Sequence, residues 1–114
     1  MKLPLNLVSS ITLQDFFISH KQLLMRCEMV NENLDILFNG LKYMEIDSFI
    51  PPSVLREGTS IEYDDLAKRK KIKIFPNQKL FVFSNDNCDY FILADSIKIS
   101  KNNLDFMESS IERW

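Results

Sequence analysis

Apolar residues recur mostly at every second position along this chain, in short runs separated by polar or turn-forming clusters. From Lys21 to Val30 the alternation puts Leu23, Met25, Cys27 and Met29 on one side and Leu24, Arg26 and Glu28 on the other. That is the period of a half-buried strand. Asn31-Glu32-Asn33 is a polar break, after which the runs 34–38 and 41–46 flank Asn39-Gly40. Asn-Gly between apolar runs predicts a two-residue hairpin, because both turn residues accept positive φ. It would pair Phe38 with Leu41 and Ile36 with Tyr43. One long strand bent at Gly40 is the competing arrangement. Further on, residues 61–63 and 71–75 read as strands. Runs 80–83 and 90–93 read as a hairpin around the polar loop 84–89, and 96–100 as an extension or another strand.

Asp47 to Ser60 reads as loop, since Pro51-Pro52 fits neither a central strand nor a helix interior and Gly58-Thr59-Ser60 is turn chemistry. Two stretches carry a helical signal. With Thr12 as N-cap and Asp15 three residues later, Leu13, Phe16, Phe17 and His20 share one face of a short helix, although Phe16-Phe17-Ile18 favours a strand. Leu104, Met107, Ile111 and Trp114 recur at helical spacing, with a strand through Leu104-Asp105-Phe106 as the competitor. The sum is an α+β, mainly β fold over residues 1–114: an antiparallel twisted sheet of about five to seven short strands with one or two short helices. Its expected core comprises Ile36, Phe38, Leu41, Tyr43, Ile72, Ile74, Phe81, Phe83, Phe91 and Leu93.

With 46% hydrophobic and 26% charged residues, two Gly and four Pro, the composition is that of a folded globular chain. No apolar run approaches the roughly 20 residues of a membrane span. Pro4 and Asn6 interrupt the apolar start and no cleavage signal follows, so a cytoplasmic location is expected. Cys27 and Cys88 are far apart and are expected to be free thiols in that compartment. The net charge of −2 is unevenly spread: residues 68–79 carry six basic side chains and no acidic one, between acidic flanks. An acidic molecule with one basic strip lacks the profile of a general nucleic-acid binder.

Chemistry-bearing motifs are sparse. A single histidine, His20, would have to serve any nucleophile, and no Gly-x-Ser-x-Gly elbow is present. His20, Cys27 and Cys88 lack metal-ligand spacing, and Gly40 and Gly58 are too far apart for a phosphate-cradling loop. No cofactor or metal is therefore expected. Asp64-Asp65, with Glu57 and Glu62 nearby, could hold a cation but suits a solvated loop or helix start better. The strip Lys68, Arg69, Lys70, Lys71 and Lys73 reads partly as an edge strand, with Lys71 and Lys73 outward and Ile72 and Ile74 inward. Its functional alternative is a nucleic-acid or phosphate-ligand site. Phe75 beside it is expected to point inward.

In overall character the chain resembles small, acidic, β-rich bacterial toxin-immunity and antitoxin-like proteins. The resemblance implies a non-enzymatic chain that binds and blocks a partner, and it transfers no residue roles. An acidic surface suits a basic partner such as a toxin domain. The expected partner-binding segment is the long loop from Phe49 to Asp65, with Phe49, Glu57, Glu62, Tyr63, Asp64 and Asp65 as contacts. A hydrolytic site around His20 and Asp64-Asp65 is the remaining alternative.

Overall fold

The structure, a computed structural model, describes residues 2–111. Ten strands and one α-helix follow one another: β1 (Leu5–Leu7), β2 (Ile11–Phe17), β3 (Gln22–Glu28), β4 (Asn33–Asn39), β5 (Tyr43–Glu45), β6 (Phe49–Ile50), β7 (Ser53–Glu57), α1 (Ser60–Lys70), β8 (Lys79–Ser84), β9 (Asp89–Ala94) and β10 (Ser96–Asn102). They form two sheets of five, in the orders β1-β7-β8-β9-β5 and β10-β4-β3-β2-β6. Every pairing is antiparallel. The mainly β, antiparallel α+β class is as expected, with ten strands shared between two sheets in place of five to seven in one.

The alternation in β3 and β4 sets the packing. Leu23, Met25 and Cys27 of β3 and Leu34, Ile36 and Phe38 of β4 face Leu55, Phe81, Phe83, Ile92 and Ala94 of the other sheet, all buried in one cluster. Phe38 packs with its ring centroid 5.5 Å from Phe81 and 6.2 Å from Phe83. Burying each such side chain contributes on the order of 1.5–3 kcal/mol. Of the expected core, Ile36, Phe38, Phe81, Phe83 and Leu93 are buried, whereas Leu41, Tyr43, Ile72, Ile74 and Phe91 are half-buried at its margins.

The chain changes sheets at corners, and there the local reading fails. After β4 it crosses to the first sheet through Gly40, whose φ of +66° only glycine adopts freely. The Asn39-Gly40 signal therefore makes a crossover, not a hairpin. Phe38 pairs with Leu23 and Ile97, while Tyr43 pairs with Leu93. The side chain of Asp95, at the β9–β10 corner, lies against Gly40 where any Cβ would stand. Pro51-Pro52 is likewise a corner, between β6 in one sheet and β7 in the other, so residues 47–60 are not a continuous loop. The expected 80–83/90–93 hairpin is present as β8 and β9, its turn held by Asn85 Oδ1, which accepts from the amides of Asn87 and Cys88.

Residues 61–63 belong to α1 and not to a strand. Thr59-Ser60-Ile61-Glu62 is a capping box: Glu62 N–H donates to Thr59 Oγ1 at 3.2 Å, and Thr59 N–H to Glu62 Oε1 at 2.9 Å. The helix lays Leu66 on Leu80, Val82 and Leu93, covering the outer face of the first sheet. Residues 71–75, expected as a strand, run irregularly beside it with Ile72 and Ile74 packed against the same cluster. Residues 11–17 take the strand alternative.

A different cover lies over the second sheet. Its outer face aligns Ser100, Asp35, Arg26, Thr12 and Phe49 in one row across five strands. Arg26 and Asp35 are 0% and 1% exposed and form a bidentate pair, Nε to Oδ1 at 2.6 Å and Nη2 to Oδ2 at 3.0 Å. Residues 103–111 are neither helix nor strand but a strap laid across the strands. Asn33 of β4 donates to the carbonyl of Leu104, Arg26 of β3 to that of Asp105, and Gln14 of β2 to that of Phe106. The helix and strand expected at 104–111 are thus both replaced; Trp114 lies outside the described residues. Among the described residues no helix is long and apolar enough to cross a membrane.

Cys27 is buried, and that burial pushes its thiol pKa up, while Cys88 is exposed; neither is in a disulfide. A thiol reagent should label Cys88 in the folded protein and Cys27 only after unfolding, read by mass spectrometry. Asp35→Ala leaves the Arg26 guanidinium buried without its counter-ion. It should lower unfolding free energy by about 3–5 kcal/mol in denaturant titration, and a loss below about 1 kcal/mol would contradict the burial described.

Candidate functional site

A groove of about 620 Å³ lies between α1 and the segment that follows it. Tyr63, Asp64 and Ala67 of the helix form one wall, with Glu57 at the end of β7 beside them. Ile72, Lys73, Ile74, Phe75 and Pro76 form the other, with Gln78 and Lys79 at the start of β8. Local chemistry fixes both walls. The capping box sets the helix start, and the Phe75 to Gln78 turn is closed twice: Gln78 N–H donates to the Phe75 carbonyl and Phe75 N–H to Gln78 Oε1. Tyr63 ties the walls to the sheet. Its hydroxyl accepts from Leu80 N–H at 2.8 Å and donates to Glu57 Oε1 at 3.1 Å. Burial raises the Tyr63 pKa, so the phenol stays protonated as the donor to Glu57.

The residues expected to contact a partner separate into three sets. Glu57, Tyr63 and Asp64 line the groove together. Glu62 and Asp65 are engaged elsewhere: Glu62 takes a bidentate pair from Arg56 at 2.6 and 3.0 Å, and Asp65 lies 3.6 Å from Arg69. The Arg56 bonds, with the Thr59 amide, bring the Glu62 pKa down to about 2. Phe49 stands on the outer face of the other sheet, away from this groove. A single loop carrying all six contacts does not exist, because β7 and a helix occupy the segment.

The basic strip is divided in the same way. Lys68, Arg69 and Lys70 form the last turn of α1, where positive charge complements the helix dipole. Arg69 donates to Glu45 Oε2 at 2.8 Å, and Lys70 sits over the Tyr43 ring at 5.7 Å. Lys71 is the left-handed C-cap with φ of +53°. Lys73 joins the acids at the groove and lies 5.2 Å above the Phe75 ring. Phe75 is 44% exposed, correcting the inward orientation expected for it. Gln78 had no local signal to mark it, and Lys79 only its place at the end of the basic stretch; the turn at Pro76-Asn77 brings both in. His20 is exposed, stacked on Phe17 and bonded to Ser19, remote from Asp64-Asp65 in sequence and in sheet.

What the groove offers is a lining of apolar Ile72, Ile74 and Phe75 together with the carboxylates of Glu57 and Asp64 and the ammonium groups of Lys73 and Lys79. No protein-family model matches the chain, and no curated protein or solved structure matches it.

The Glu62 pair has a pH signature. Its folded-state pKa lies below the ordinary 4.5, so its stabilisation is complete above that value and lost as the pH falls toward 2. Urea titrations from pH 6 to pH 2.5 should show stability falling, with a visibly shallower fall in Glu62→Gln. Equal slopes in the two proteins would contradict the pairing.

Proposed function

We propose that this chain is a non-enzymatic protein-binding module, acting in the cytoplasm as a neutraliser of a toxin. One observation carries the reading: Glu57, Tyr63 and Asp64 share a groove with Lys73, Lys79 and the exposed Phe75. An aromatic anchor ringed by charged groups of both signs is the composition of a recognition surface, where a few central residues dominate the energy. The walls are already closed by internal hydrogen bonds, so little order remains to be imposed on binding. The groove is open along its length, which suits a segment of another protein better than an enclosed small molecule.

The reading is tested by affinity capture from the native cell, followed by titration calorimetry of the captured partner. Asp64→Ala and Phe75→Ala should each weaken binding by about 2 kcal/mol, the usual hot-spot threshold, with melting temperatures little changed. Tyr63→Ala is not a clean probe, because its hydroxyl holds Leu80 and Glu57. The partner made alone should arrest growth, and the present chain should restore it. Unchanged affinity removes the groove from the interface, and a partner harmless to growth removes the toxin.

A further inference from the structure

The strap over the second sheet contains a turn that its own sequence does not explain. Glu108 N–H donates to the Asp105 carbonyl at 2.8 Å, and Asp105 N–H donates to Glu108 Oε1 at 3.0 Å. The two corner positions of this doubly closed turn are Phe106 and Met107, 72% and 79% exposed. Corners of this kind ordinarily take Gly, Pro, Asn, Asp or Ser. Phe106 and Met107 contribute nothing to a core there, yet the turn is held down: the Phe106 carbonyl is bonded to Gln14 and the Asp105 carbonyl to Arg26. Phe49, 57% exposed, stands on the same face one strand further out, opposite Thr12. Two large apolar side chains are thus displayed on a hydrogen-bonded turn, with a third on the same face of the sheet.

We infer that this tip is a docking surface, and that its partner is a basic protein segment with apolar side chains among its Lys and Arg residues. The inference rests on the reading of the chain as a protein-binding module, but it names a surface on the opposite sheet from the groove. Charge selects the occupant. Both charged residues of the turn, Asp105 and Glu108, are acidic and exposed. They repel nucleic-acid phosphates and an anionic membrane. They also oppose a second copy, since a symmetric contact sets each rim against itself. A basic segment alone is attracted by the rim while its apolar residues meet Phe106, Met107 and Phe49. The closed turn presents Phe106 and Met107 without further ordering.

The probe is a random dodecapeptide display library selected on the folded chain. Enriched peptides should combine Lys or Arg with aromatic or aliphatic residues. They should bind at least tenfold more weakly to Phe106→Ser/Met107→Ser and normally to the groove variant Phe75→Ala. Asp105→Asn/Glu108→Gln keeps the Oε1 acceptor of the turn while removing two charges. It should weaken the same peptides three- to tenfold and flatten the dependence of affinity on salt. Matching melting temperatures show that each variant is folded. Peptides that keep their affinity for the tip variant overturn the inference, and if they lose it for Phe75→Ala the groove reading stands alone. Acidic or uncharged consensus peptides overturn the partner chemistry. A homodimer in sedimentation that the tip variant dissociates overturns the choice of partner.

Discussion

The buried pair of Arg26 and Asp35 governs one whole side of the molecule. On the outer face of a sandwich such residues would ordinarily be wet, and taking both out of water costs about as much as their attraction returns. The guanidinium still has a donor to place and the carboxylate has lone pairs to fill. Arg26 therefore reaches the Asp105 carbonyl, and Asp35 accepts from Asn102 at 2.6 Å. Desolvation raises the Asp35 pKa, but the bonds from Arg26, Ser110 and Asn102 outweigh it and hold it below its ordinary value. The last described residues are drawn across the sheet because the pair needs a polar cover. The opposite sheet meets the same problem with apolar means, Leu66 resting on Leu80, Val82 and Leu93.

This division explains what the amino-acid pattern revealed. The alternation through residues 22–28 and 33–39 was legible because one face of each strand enters the core, and period 2 is a local property. The strap was not legible. Its ties to Asn33, Arg26 and Gln14 span 71, 79 and 92 residues, and no window of neighbours contains them. Helical spacing of Leu104, Met107 and Ile111 was real, but in the strap it does not make one buried face: Ile111 is buried and Met107 exposed. The helix at 60–70 was hidden for another reason. It buries only Leu66, so its apolar stripe is nearly absent, and the β-favouring residues Ile61 and Tyr63 sit at its start. Thr59 and Glu62 were its one clear sign.

The candidate site was legible in pieces. Glu57, Tyr63, Asp64 and Lys73 stood out by residue type, yet their meeting depends on the left-handed C-cap at Lys71 turning the chain back beside the helix. Glu62, Asp65 and Arg69 were indistinguishable from them in sequence and are instead consumed by ion pairs. The same local device recurs at three places. A Glu or Gln side chain returns to the backbone amide three residues earlier at Thr59, Phe75 and Asp105. Two of these stand at groove walls and the third closes the tip of the strap.

The strap is gripped by its main-chain oxygens, and carbonyls are identical in every residue. Its fastening to the sheet at residues 104–106 is therefore indifferent to the side chains displayed at Phe106 and Met107. Phe106 and Met107 could be exchanged for other residues over generations while the anchoring stayed intact. A surface attached in this way can change the side chains it displays without surrendering its shape.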